Sequence, residues 1–103
     1  MNWELQETNL LRNCNIHQVL SCLIHRFQQT YKSLPEVVYI NSNLKMAFVV
    51  ELITVYKLRP EEAVLEPVWL GGFGKEIPLL SSTQLGEYYV QLINSKINAV
   101  DTL

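Results

Sequence analysis

Two cysteines and two histidines lie close together near the start of the chain, and thiolates and imidazoles are common zinc ligands. They are Cys14, His17, Cys22 and His25. The same segment carries a helical pattern, and on a helix successive side chains turn by about 100° and rise about 1.5 Å. The four groups therefore spread around the helix and along it, so they cannot surround one tetrahedral ion. We predict neither a metal site nor a cofactor.

Helical spacing also separates the Cα atoms of Cys14 and Cys22 by roughly 12 Å, which is too far for a disulfide. The first residues, 1–5, lack the basic and apolar regions of a secretory signal. We therefore expect a cytoplasmic protein with two reduced thiols.

Motifs of known enzyme classes are missing from the sequence. There is no Gly-x-Ser-x-Gly motif, and the only aspartate is Asp101, near the C-terminus. Glu61 and Glu62 are adjacent, and they suit the first turn of a short helix after Pro60 better than paired acid–base chemistry. The glycine-rich run at 71–74 lacks the Gly-Lys-Ser/Thr ending of a phosphate-binding loop. The sequence favours a non-enzymatic role, and we assign no catalytic residue.

Charge is scarce and scattered along the chain. Only 17% of the 103 residues are charged, against about 25% in typical globular domains, and 49% are hydrophobic. A net charge of -2 without a basic cluster argues against a nucleic-acid partner. No run of 18 apolar residues exists, which argues against a membrane span. We expect one compact domain, residues 1–103, with less ordered ends at 1–13 and 94–103.

Apolar residues with helical spacing predict an amphipathic first helix. Asn13 or Asn15 can cap its start, and Leu34-Pro35 stops it. The β-branched and aromatic run Glu36–Asn41 then predicts a short, mostly buried strand. The apolar stripe of the helix consists of Ile16, Val19, Leu20, Leu23, Ile24, Phe27 and Tyr31.

A second helix is predicted from a cap at residue 42 or 43 through about Leu58, because Pro60 must end it. Its β-branched residues also suit a strand, but its length exceeds that of the usual strand. This helix is apolar on almost all sides. We therefore expect Val50 or Ile53 to be buried, either in the core or between subunits.

Short strands are predicted for the C-terminal half. Ala63–Leu70 reads as extended, and Pro67 places it at a sheet edge. The glycine-rich segment 71–75 predicts a hairpin turn into a returning strand at 76–80, followed by a loop at 81–86. Residues 87–93 fit a last strand, with a helix as the alternative. We predict an α+β fold, with two main helices packed on a small three- to four-stranded mixed or antiparallel sheet.

Aromatic and apolar side chains supply the candidate partner-binding residues, which are Trp69, Phe73, Tyr56 and Val50. Tyrosine and tryptophan bury a large area at low entropic cost, so they often anchor interfaces. Phe73 has a second interpretation, in which it covers the sheet while its neighbouring glycines make the turn. His17, at the margin of the first helix's apolar stripe, is the candidate ligand-binding residue.

The predicted elements over about residues 35–93 are a strand that ends in Asn41, an apolar helix, and a glycine-rich hairpin followed by Pro-Leu-Leu-Ser-Ser. The order of these elements resembles that of small proteins encoded by phages and mobile elements. The resemblance implies assembly rather than catalysis. We therefore predict a non-enzymatic interaction or assembly domain that forms a homo-oligomer through the second helix or the Pro67 strand, with another protein as a further possible partner. The alternative is a ligand-binding or catalytic domain with a pocket between the first helix and the sheet.

Overall fold

The computed structural model describes residues 16–64 and 68–102. Its helices are α1 (Ile16–Tyr31), α2 (Ser42–Thr54) and the single turn α3 (Pro60–Ala63). Its strands are β1 (Val37–Asn41), β2 (Val68–Leu70), β3 (Ile77–Ser82), β4 (Tyr89–Ile93) and β5 (Asn98–Thr102).

Some predictions concern residues outside these ranges. They are the caps at Asn13 and Asn15, the thiol of Cys14, the position of Pro67 and the less ordered end at 1–13.

Helix α1 follows the predicted apolar stripe. Its buried residues are Ile16, Leu20, Leu23, Ile24 and Phe27, all of which belong to that stripe. The helix ends at Tyr31 because Lys32 adopts a positive φ of 60°. The Lys32 amide still donates to the Gln28 carbonyl at 2.8 Å, and a left-handed residue in this place is a common way to end a helix.

Helix α2 forms as predicted in type, but both of its ends differ. The cap is Asn41, one residue earlier than expected, and its side chain accepts a hydrogen bond from the Asn43 amide at 2.8 Å. The helix ends four residues before Leu58. Lys57 has a φ of 60°, and the Leu58 amide donates to the Leu52 carbonyl at 3.0 Å. The left-handed Lys57 and this hydrogen bond turn the chain back on the helix, so α2 ends before Pro60 can end it.

The described residues form a mixed sheet of five strands in the order β2-β3-β1-β4-β5. β1 pairs parallel with β3 and antiparallel with β4, while β2–β3 and β4–β5 are antiparallel. The α+β class is therefore confirmed, but the predicted three to four strands are too few.

The strand that the sequence prediction missed is β5, in the segment expected to be a polar tail. A tight turn precedes it, in which the Asn94 Oδ1 accepts from the amides of Lys96 at 2.9 Å and Ile97 at 2.8 Å. β5 then pairs with β4 along its whole length. Residues 89–93 accordingly form a strand rather than the alternative helix.

The hairpin between β2 and β3 is confirmed. Gly72 and Gly74 have φ angles of 97° and 83°, a conformation that side chains with a Cβ rarely adopt. The returning strand is longer than predicted, since β3 includes Ser81 and Ser82, which were expected in a loop.

Both long helices cover the same face of the sheet. Their buried residues form one cluster with alternate residues of β1–β4: Val38, Ile40, Val68, Leu70, Ile77, Leu79, Val90 and Leu92. On β5, Asp101 lies on this face opposite Val90 and pairs with Arg26 of α1 at 3.2 Å. Within residues 16–64 and 68–102, no helix is long and apolar enough to cross a membrane.

Candidate functional site

A cleft of about 520 Å³ opens between the start of α1, the end of α2 and the edge strand β2. We call it the aromatic cleft. Its volume lies within the range of about 300–1,000 Å³ that is usual for small-ligand sites. The described residues that line it are His17, Phe48, Leu52, Tyr56, Leu58, Glu62, Val68 and Trp69.

His17 is held in the aromatic cleft by α2. Its ring centroid lies 6.5 Å from that of Phe48, nearly parallel at 14°, and 5.5 Å from that of Tyr56. Its backbone amide donates to Glu51 Oε2 at 3.0 Å, while the Ile16 amide donates to Glu51 Oε1 at 2.7 Å. A carboxylate is favourable at a helix N-terminus, where amides lack partners within the helix. Glu51 thus caps α1 from a distant part of the chain and fixes where the imidazole lies.

Tyr56 and Leu58 reach the aromatic cleft because of the turn that ends α2. The left-handed Lys57 folds the chain back on the helix. Tyr56 remains 40% exposed and Leu58 36% exposed on the cleft wall.

Trp69 borders the aromatic cleft at the edge of the sheet, although the alternation of β2 turns its side chain to the sheet face opposite the helices. Its neighbours Val68 and Leu70 are buried, whereas Trp69 is 53% exposed, because strand residues alternate between faces. Among the described strands, β2 pairs with β3 alone. The indole is therefore accessible to a partner.

The chemistry of the aromatic cleft suits binding better than catalysis. Among its described lining residues, the polar side-chain groups are the His17 imidazole, the Tyr56 phenol, the Trp69 indole and the Glu62 carboxylate. Glu62 pairs with Arg59 at 2.9 Å and faces solvent. These described lining residues include no serine or cysteine that His17 could activate. The rings of His17, Phe48 and Tyr56 lie close together in this cleft.

Three of the five predicted site residues, His17, Tyr56 and Trp69, come together in the aromatic cleft. Phe73 lies elsewhere, half-buried against the core, with its ring 5.0 Å from that of His25. Val50 is 53% exposed on the outer side of α2. The structure therefore does not unite the predicted residues into a single surface.

The structure defines the buried side of α2, which the sequence, apolar on almost all sides, leaves open. Its apolar buried residues are Leu44, Phe48, Val49 and Leu52, and Ile53 packs partly against them. Val50 is thus outside the core of one chain, while Ile53 is half-buried against it, so the expectation that one of the two is buried in the core rests on Ile53. Sequence analysis also missed Phe48 and Glu51, because no local pattern connects either residue with His17.

The sheet has a second face, turned away from α1 and α2, which we call the open sheet face. Alternation and register place on it Val37, Tyr39, Asn41, Trp69, Pro78, Leu80, Ser82, Tyr89, Gln91, Ile93, Asn98, Val100 and Thr102. None of these residues is charged. Its outermost side chains are well exposed, with Trp69 at 53%, Tyr89 at 46% and Val100 at 57%.

The predicted thiol and imidazole candidates do not cluster in the described part of the chain. There, no group of three or more His, Cys, Asp or Glu residues could hold a metal ion. Cys22 is a free, exposed cysteine on α1.

No family model matches the chain, and neither a curated protein nor a solved structure is similar to it at a significant level. The resemblance to phage and mobile-element proteins therefore stays a prediction.

Proposed function

We propose that this protein is a non-enzymatic interaction domain that acts by protein–protein contact, as an assembly of identical copies. The observation that carries the proposal is the open sheet face, which has no charged residue. Interface cores are depleted in charge and enriched in tyrosine and tryptophan. Soluble monomers seldom leave contiguous apolar patches of more than a few hundred Å² in contact with water.

Other exposed apolar side chains agree with a role in contact rather than in chemistry. Met46 and Val50 are 67% and 53% exposed on the outer side of α2, and Tyr56 and Trp69 stand at the aromatic cleft. Aromatic residues of this kind are frequent interface anchors. The described residues of the aromatic cleft lack a nucleophile with a neighbouring base, which supports the same function.

Sedimentation velocity of the full chain, from low to high micromolar concentration, tests the proposal. The expected result is a mass that rises with concentration above the 11.9 kDa of one chain. A mass that stays at 11.9 kDa throughout would refute self-assembly.

A second candidate function is the binding of a small, flat, uncharged aromatic ligand in the aromatic cleft. Its support is the cleft's volume of about 520 Å³ together with the rings of His17, Phe48 and Tyr56. One- and two-ring compounds are of suitable size for such a site.

A titration followed by NMR tests this second candidate, with one- and two-ring aromatic compounds as probes and the Trp69 indole N–H as reporter. Trp3→Phe in every sample leaves one indole signal. We expect saturable shifts that weaken at least tenfold in His17→Ala and persist in Phe73→Ala, whose ring lies outside the aromatic cleft. Shifts that never saturate, or that are equal in both variants, would exclude the site.

A further inference from the structure

We infer that two copies of this chain pack their open sheet faces against each other about a two-fold axis, forming a sandwich of two five-stranded sheets. The inference rests on the proposed self-assembly and names the surface that makes it. Four features of the sheet support it: its strand sequences, its lack of charge, its edges and its area.

The strand sequences are of the kind found where both faces of a sheet are covered. In β1 the buried Val38 and Ile40 alternate with Val37 and Tyr39, so the strand is apolar on both faces up to its last residue. In β3, the buried Ile77 and Leu79 likewise alternate with Pro78 and Leu80, so this part of the strand is also apolar on both faces. A strand with one solvated face normally alternates apolar with polar residues, while continuous apolar runs are typical of strands covered on both sides. Among the described elements, α1 and α2 cover one side.

The open sheet face carries no charge that would oppose contact between two copies. Leu80 pairs with Tyr39, Tyr39 with Gln91, and Gln91 with Val100, so a largely apolar row crosses four of the five strands. In a two-fold contact the same patch meets itself, and any charge on it would oppose a like charge nearby. The face carries none, so no such repulsion opposes the pairing of two copies.

The sheet edges are less suitable for assembly than the face. β2 has three residues, too few for extended pairing with another chain. β5 carries Asp101 on its inner side, where the carboxylate is held by Arg26 of α1. Very short edge strands and inward-pointing charges are devices that oppose edge-to-edge association. A face-to-face contact remains available to the sheet.

The area of the face is that of a small, weak dimer interface. Five strands about 4.8 Å apart, with about 3.3 Å per residue, span a projected area on the order of 400 Å². A standard interface buries roughly 800 Å² per partner, and contacts of weak, transient complexes are smaller. Twisted sheets of the same hand stack about 10 Å apart with their strands inclined by about 30°, which a two-fold axis permits. The outer side of α2 offers a narrower contact surface than the sheet face, because it is only one helix wide.

The experiment uses two valines of nearly equal exposure on opposite surfaces of the full chain. Val100 is 57% exposed on the open sheet face, and Val50 is 53% exposed on the outer side of α2. Val100→Lys is the test variant and Val50→Lys its matched control. Trp69→Lys, at the opposite edge of the same face, is the second test variant. Circular dichroism and thermal melts verify that each variant is folded, and if Val100→Lys fails to fold, Trp69→Lys decides.

Sedimentation equilibrium then gives the dimer dissociation constant of each protein. We expect both test variants to raise it at least tenfold, and Val50→Lys to change it less than twofold. If the parent dimerises but Val50→Lys dissociates it, or none of the three variants does, the sheet-face interface is wrong while self-assembly stands. An effect of Val100→Lys without one of Trp69→Lys would indicate pairing at the β5 edge and also overturn the inference. A parent chain that is monomeric at every concentration would overturn both proposals.

Discussion

Replacing Glu51 with alanine is expected to destabilise the protein by about 2 kcal/mol. The Glu51 carboxylate accepts hydrogen bonds from the Ile16 and His17 amides at 2.7 and 3.0 Å. Loss of a capping side chain costs about 1 kcal/mol, and loss of an anion at a partly buried helix N-terminus costs roughly another 1 kcal/mol. Glu51→Gln keeps one acceptor oxygen but loses the charge, so it should fall near half of the alanine value.

Urea unfolding followed by circular dichroism measures the effect, at one fixed protein concentration because self-association would add to apparent stability. A loss of about 2 kcal/mol corresponds to a melting temperature lower by roughly 8–16 °C in a domain of this size. Glu36→Ala, an exposed carboxylate, is the control and should change stability by less than about 0.5 kcal/mol. If Glu51→Ala behaves like this control, the carboxylate does not cap α1 and does not fix His17.

Three further predictions concern the core, the hairpin and the thiols. Leu52→Ala should lower the free energy of unfolding in urea by about 2–5 kcal/mol, because Leu52 is 8% exposed. Val50→Ala, at an exposed position of the same helix, should lower it by less than about 0.5 kcal/mol. Equal losses would show that the buried side of α2 is wrongly assigned. Gly72→Ala should cost about 1 kcal/mol because its φ is 97°, and Gly71→Ala, outside the positive-φ region, should cost less; the reverse order would contradict the turn geometry. Chelator and reductant should leave the melting temperature unchanged, and a drop of about 10 °C with chelator would reveal a structural metal.

Sequence reasoning succeeded where a local pattern and the tertiary fold coincide. The α1 stripe has a single apolar side, and five of the seven residues that define it in the sequence are buried in the structure, whereas Val19 is half-buried and Tyr31 is 41% exposed. The hairpin was predictable for a similar reason, since the left-handed conformations of Gly72 and Gly74 are a local requirement of the turn. In both cases the decisive interactions lie close together along the chain.

The phase of α2 could not be predicted because apolar residues occur on all of its sides. Val49 and Val50 are chemically identical, yet the first is 9% exposed and the second 53% exposed. Contact with the sheet decides between them, and periodicity carries no information when both sides are apolar. The end of α2 was missed for a different reason. The prediction relied on Pro60, whereas the left-handed Lys57 closes the helix earlier.

Strand β5 was missed because its stability comes from pairing rather than from its own side chains. Its burial alternates between exposed and half-buried residues, and none of them belongs to the buried core. Asn94 makes the turn that returns the chain to β4, and its Nδ2 also donates to Ser33 Oγ at 3.0 Å. The contact with Ser33 connects positions 61 residues apart, so no window of sequence contains it.

Residue type alone identified much of the candidate site but not its layout. His17, Tyr56 and Trp69 were chosen separately, and the turn at Lys57 and the edge position of β2 bring them to one cleft. Phe73 was chosen on the same grounds as Trp69, but its ring packs against His25 and the core. A loop aromatic therefore indicates a partner only after its neighbours are known.

In the structure, the scarcity of charged residues is most evident on the open sheet face. Of all residues in the chain, 17% are charged. If these residues were evenly distributed, a sheet face of this size would carry about two of them, yet the open sheet face carries no charged residue. In the part of the chain that the structure describes, charged residues lie instead on the helices, in the loops and, for Asp101, on the inner side of β5. A face kept for water would tolerate lysine or glutamate at Tyr39 or Val100 at little cost, since exposed strand positions accept charge readily. Uncharged side chains at all of these positions are what a second protein layer requires, because charge buried without a partner opposes association.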